Sequence, residues 1–214
     1  MFVATAAIGG RNTFVEFTAN SDDTVDRTTY TFGSLAAGDA HPRRQIFVGT
    51  FVAPQGADVS TTQTVTINGS ATTLVSGVSF LRIFRLAVPT GSTVSVEVTR
   101  GGNNMSSCNV VVWAGYDLIS TTPVDTAALA SVSNPVSADV DTSSGGFVIG
   151  MAVPNSGAAT FTWSGLTEDV DTSPASGTAY TAASASKVSA ETPRAISVTR
   201  SAGASTTIVT ASFR

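Results

Sequence analysis

The chain has 214 residues, of which 42% are hydrophobic and 12% charged, and its formal net charge is −4. That charged share is about half the usual one. A single lysine, Lys187, and scattered arginines leave no cation cluster of the kind a nucleic-acid groove requires. A lone cysteine, Cys108, rules out an intrachain disulfide and a cysteine-based metal centre.

The length suits one large β-sandwich or two small ones. Ser and Thr contribute 59 residues, interleaved with Val, Ile and Phe, a composition that favours pleated, half-buried surfaces. The opening MFVATAAIGG has no basic n-region and no extended apolar core, so a signal peptide is not expected. The longest apolar stretch, around 108–115, is too short to cross a bilayer. No membrane partner is expected, and synthesis in a cytoplasm is.

No segment sustains a helical period. Short β-branched runs ended by turn residues predict strands near 2–8, 13–19, 28–33, 45–53, 62–68, 71–76, 79–87, 92–99 and 107–115. Further strands are predicted near 135–140, 146–153, 158–163, 177–185, 194–199 and 205–213. Asn68-Gly69 is the strongest hairpin signal, because both central positions of a type I′ turn need positive φ. Between 119 and 134 the sequence fits either one helical turn around Ala127–Ala130 or a crossing between sheets. The fold class expected is all-β, an antiparallel and jelly-roll-like β-sandwich with little or no helix. An N-terminal arm over 1–27 and a sandwich over 28–214 is one division; two halves, about 28–120 and 121–214, is the alternative.

Two patterns recur at one offset. Phe47-Val48 leading to Pro54 returns as Phe147-Val148 leading to Pro154, and Val98-Thr99-Arg100 returns as Val198-Thr199-Arg200. Between them the match fails, since LRIFRL at 81–86 faces TAASAS at 181–186. The echo therefore reads as equivalent strand pairs, most simply within one sandwich.

The strands at 79–87 and 107–115 are apolar on both faces, so each needs a cover beyond its own core. A subunit contact through Phe80, Ile83, Phe84, Val111 and Trp113 is one candidate cover, and a loop of the same chain is the other.

Residues with chemistry are sparse. His41, the single histidine, lies in the turn segment Gly38-Asp39-Ala40-His41-Pro42 and reads as a loop residue without a catalytic role. Cys108 in CNVVVWAG reads as a buried thiol acting as a small hydrophobe. Asp22, Asp23 and Asp26, the pair Asp139/Asp141, and Glu168, Asp169 and Asp171 read as solvated charge, because no calcium-loop pattern or aromatic cleft accompanies them. Trp163 shares a face with Phe161 and reads as core. Tyr116, just beyond the most apolar strand, is the one glycan-stacking candidate. No nucleophile elbow or phosphate-cradling loop is present, so no enzyme, cofactor or metal is expected.

The stretch TYTFGSLAAGDAHPRRQIFVGTFV (29–52) resembles a pattern found in tailed-bacteriophage virion proteins. There a strand ending in Phe leads through a small-residue turn to Arg and an alternating Val-rich strand. VTINGSATTLV, LAVPTGSTVSVEV, VVWAGYDL and ATFTWSGLTEDVDT resemble the later segments of such proteins, in the same order, so the likeness runs from about 28 to 200. The chain departs in carrying Arg43-Arg44 in place of one arginine, and in LAAGD, where a second glycine usually comes earlier. The resemblance implies a jelly-roll-like structural component of a virion, made in the host cytoplasm, with capsid decoration or cementing as its role. The partners it implies are the major capsid protein or other virion proteins, with the chain itself a homo-oligomer. A tail-fibre or baseplate module contacting host glycans is the alternative, and a jelly-roll carbohydrate-active enzyme a remote one.

Overall fold

The computed structural model describes residues 13–54, 62–101, 104–155, 157–174, 178–203 and 205–214. The strand predicted at 2–8 lies outside them. Among the described residues every regular element is a strand, and every ladder is antiparallel.

Among the described residues, nine strands precede Asp117. They are β1 (Phe14–Asp23), β2 (Thr29–Ala36), β3 (Gln45–Pro54), β4 (Thr64–Ile67) and β5 (Ser70–Ala71), then β6 (Thr73–Val78), β7 (Leu81–Ala87), β8 (Thr93–Thr99) and β9 (Met105–Tyr116). They form one sheet of order β1-β9-β3-β7-β6 and another of order β2-β8-β4-β5. Asn68 and Gly69 both take positive φ, 50° and 75°, and close the β4–β5 hairpin as expected for a type I′ turn.

Ten more come after it among the described residues. They are β10 (Asp125–Ser133), β11 (Val136–Ser137), β12 (Val140–Thr142), β13 (Gly146–Pro154) and β14 (Phe161–Ser164), then β15 (Thr167–Thr172), β16 (Tyr180–Val188), β17 (Glu191–Arg194), β18 (Ser197–Arg200) and β19 (Ser205–Phe213). Their large sheet has order β10-β19-β13-β16-β15, opposite the short sheets β11-β18-β14 and β12-β17. Ala127–Ala130 lies inside β10, where Ala127 pairs Thr210 and Leu129 pairs Ile208, so the segment is a strand and not a helical turn. The pull of the β19 ladder outweighs alanine's local helix preference.

The two groups repeat one plan. Phe47 faces Trp113 and Val48 faces Val112 in the β3–β9 ladder; Phe147 faces Phe213 and Val148 faces Ser212 in β13–β19. Register is thus kept at an offset of one hundred residues. Val98 sits between Tyr30 and Val65, and Val198 between Val136 and Trp163. The segments that failed to match in sequence still hold equivalent places, since β7 flanks β3 as β16 flanks β13.

Three apolar layers hold the sheets together. An outer layer with Tyr30, Val48, Val96, Val110 and Val112 joins the two first-group sheets. At the far side, Val148, Ala152, Trp163, Val198 and Ile208 do the same for the second group. Between them, Phe47, Ile83, Val111 and Trp113 meet Phe147, Ile149, Met151, Val209 and Phe213, so the two five-stranded sheets pack face to face. This middle layer explains why β7 and β9 are apolar on both faces. Each face of their sheet is covered, one by its own partner sheet and one by the other half of the chain.

Gly115 makes the middle layer possible. A Cβ there would come within 2.7 Å of the Phe47 ring and 3.1 Å of the Phe147 ring. Hydrogen bonds brace the same contact. Ser186 Oγ accepts from Val15 N at 2.9 Å and donates to Val15 O at 2.8 Å, joining β16 to the edge strand β1. Asn20 donates to the Tyr180 hydroxyl at 2.9 Å.

Candidate functional site

The residues proposed from sequence as a subunit contact fall into different places. Ile83, Val111 and Trp113 have no exposure and lie in the middle layer, so a second copy cannot reach them. Phe84 points to the opposite face and is buried in the first outer layer. Phe80 is partly buried against that layer, with the Arg100 guanidinium 4.9 Å from its ring centroid. Phe80 also lines an apolar cleft of about 250 Å3 with Phe51, Pro54, Val153 and Pro154, where the ends of β3 and β13 approach each other. Ile83, Phe84, Val111 and Trp113 are therefore folding contacts, formed because the cover that β7 and β9 require is supplied within the chain, and Phe80 alone of the five reaches an open surface.

Tyr116 is placed differently. It is 4% exposed, yet it borders an open cleft of about 340 Å3 with Phe14, Glu16, Asp39, Ala40, His41 and Asp117. Three separate segments build this cleft: the start of β1, the loop between β2 and β3, and the end of β9. Phe14 and Tyr116 are direct cross-strand partners, and their rings stack with centroids 4.6 Å apart. The Tyr116 hydroxyl donates to Glu16 Oε1 at 2.7 Å and lies 3.2 Å from the Asp39 carbonyl. Burial, followed by the Glu16 carboxylate, pushes the phenol up to about 12. It stays a neutral donor through the physiological range.

The loop wall of the cleft is fixed from behind. Arg44 is fully buried, and its guanidinium commits all its N–H donors to carbonyls. Nε donates to Val88, Nη1 to Gly38 and Asp39, and Nη2 to Thr90 and Gly91, each at 2.8 Å. One side chain thus ties the β2–β3 loop to the β7–β8 loop. Gly38 takes φ +67°, and a Cβ there would collide with Glu16 Oε1 and the Tyr116 hydroxyl, so glycine lets the loop seat directly on the site.

His41 is half-exposed and meets the Tyr116 ring edge-on at 5.9 Å. Its Nδ1 accepts from the Arg43 backbone N–H at 3.2 Å, which assigns the ring proton to Nε2, 3.8 Å from Asp117 Oδ1. Asp117 holds a positive φ of 54°, receives Thr13 Oγ1 at its carbonyl, and accepts Arg43 Nε at 2.8 Å. Phe14, Glu16 and His41 are companions of Tyr116 that no sequence pattern announces: the β1–β9 pairing brings the first two and the β2–β3 loop brings the third.

The remaining singled-out residues are structural. Cys108 is completely buried, and burial pushes its thiol well up, so it is inert in the fold. Trp163 and Phe161 are core. Asp169 is not solvated charge: it accepts the Trp113 indole N–H at 2.9 Å and the Ser184 hydroxyl at 3.1 Å. Asp171 accepts from Phe161 N, and Asp139 from Ile196 N, so these carboxylates terminate strands. Among the described residues no group of three His, Cys, Asp or Glu side chains converges as a metal site.

No family model matches the chain, and no curated protein is similar to it. The crystal structure of the plant receptor-like kinase ANX1 shares 9% identity over 94% of this chain and 90% of that one, at a TM-score of 0.24. A likeness at that level carries no argument about fold or function.

Proposed function

We propose that this chain is a structural protein of a bacteriophage particle, acting as a decoration protein bound across neighbouring capsid subunits. The observation that supports it best is how the polar groups are used. Arg44 locks two loops, Trp113 and Asp169 bridge the two halves, and Ser186 laces β1 to β16. Such bracing suits a part that resists deformation, and the resemblance of residues 29–52 to virion proteins points the same way. The contact with the shell uses surface other than the middle layer. Ile119 and Val124, exposed on the connection between β9 and β10, offer it apolar side chains, as Val25 and Leu74 do elsewhere.

Mixing the purified protein with DNA-free shells of its phage tests the reading. Saturable binding is expected, and quantitative mass spectrometry of whole particles should find it at shell-like copy number. Absence of binding, or a handful of copies per particle, overturns the decoration role.

A further inference from the structure

We infer that the cleft between Phe14, Glu16, His41, Tyr116 and Asp117 binds a neutral pyranose sugar. The cleft is complete within one chain, so this binding holds wherever on a particle the chain sits.

Several ligand classes are disfavoured by the cleft's own groups. Glu16, Asp39 and Asp117 line it, so acceptors dominate. An anionic ligand such as a phosphate, a uronate or a sialylated sugar would meet like charge. A metal ion is not favoured either, because the carboxylates and His41 do not converge on one point. A cationic side chain would find Asp117 already paired with the Arg43 guanidinium and only Glu16 and Asp39 left to it, and a basic peptide is therefore an arm of the test.

A sugar matches the remaining groups. Vicinal hydroxyls are donors that suit the Glu16 and Asp39 carboxylates, while the Nε2–H of His41, at 3.8 Å beyond hydrogen-bond reach of Asp117, can donate to a ring or hydroxyl oxygen. The partly exposed Phe14 ring, held flat by its stack on Tyr116, offers an apolar surface to the C–H face of a pyranose. The site is also preorganised. Arg44 fixes the loop, Gly38 seats it, and the Tyr116 hydroxyl orients Glu16, so few groups need ordering when ligand arrives. The cleft volume of about 340 Å3 accommodates one or two sugar units.

The test is an array of immobilised neutral and acidic saccharides, followed by titration of 15N-labelled protein with methyl hexosides and methyl N-acetylhexosaminides. Retention of at least one neutral saccharide is expected, with amide shifts confined to residues 14–16, 38–41 and 116–117. Glu16→Gln and His41→Ala should each weaken that binding by about tenfold or more, with thermal melting monitored alongside. His41 is half-exposed in a loop, so His41→Ala remains informative if Glu16→Gln folds poorly. No saccharide binding at millimolar concentration, preference for acidic sugars, retention of a basic peptide alone, or shifts elsewhere on the surface each overturn the inference.

Discussion

Phe47 and Phe147, one hundred residues apart in the chain, meet edge to face with ring centroids 5.7 Å apart. Both also contact Phe213, at 4.8 and 5.3 Å. Residues that hold equivalent positions in two copies of one strand plan touch each other across the middle layer. That is the hallmark of an isologous contact, in which a surface packs on its own counterpart.

This aromatic contact should show measurable coupling. Phe47→Ala and Phe147→Ala are each expected to destabilise by about 3–5 kcal/mol. The double-mutant cycle should return a coupling of about 0.5–1.5 kcal/mol. Denaturant unfolding measures all three. Strict additivity would mean that the rings are buried beside each other without mutual stabilisation.

The Trp113–Asp169 bridge predicts an unusual pH response. Burial raises the Asp169 carboxyl, opposed by the hydrogen bonds from Trp113 and Ser184. A carboxyl whose folded value is raised makes the fold bind its proton more tightly than the unfolded chain does. Its contribution is full below the unfolded value and is lost as pH rises through the folded one. Asp169→Asn keeps an acceptor for the indole while removing the charge. The stability of this variant relative to wild type should therefore be greater at neutral pH than below the ordinary carboxylate range. Unfolding curves at the two pH values decide it, and a relative stability that is greater in acid contradicts the assignment.

The sequence shows its local requirements clearly and its long-range ones poorly. Asn68-Gly69 announces a turn because positive φ is a property of two adjacent residues. The core strands β3, β9 and β13 announce themselves through apolar runs, and β19 through its β-branched residues. The cover on the second face of β9 is a different matter: Trp113 needs Phe147 and Asp169, and no pattern near residue 113 encodes them. Asp169 looks like its charged neighbours until the fold places an indole above it. The cleft is harder still, because Phe14, His41 and Tyr116 come from three segments whose meeting depends on β1 pairing with β9 and on Arg44 fastening a loop. Arg44 itself reads as half of a basic pair, with nothing local to distinguish it from the exposed Arg43.

Arg44 should prove among the least replaceable residues. Lysine offers three donors on a point charge, and it cannot span carbonyls from two loops as a planar fork does. Arg44→Lys is expected to lower stability by about 3 kcal/mol or more, because buried carbonyls lose partners while a buried charge remains. Hydrogen exchange should show the largest loss of protection at residues 38–40 and 88–91. Wild-type protection in both loops would show that the guanidinium contributes little beyond packing.

The tyrosines predict where alkali unfolds the protein. Burial is the leading cause at each of the three: Tyr30 and Tyr116 are pushed up to about 12, and Tyr180 is also raised. The Tyr30 hydroxyl shares its one proton between the carbonyls of Val25 and Met105, at 2.9 and 2.8 Å, and an ionised phenolate would lose that donation and face two acceptors. In the unfolded chain these phenols ionise near 10. The folded state therefore holds its protons more tightly, and the stability this supplies is full below pH 10 and is lost as pH rises toward 12. Native protein at pH 10 should show little tyrosinate absorbance in the near ultraviolet, while denatured protein is about half ionised there. Above that pH, ionisation and loss of β-sheet signal should rise together. A native titration that follows the free phenol without unfolding would mean that these hydroxyls are reached by solvent in the folded state.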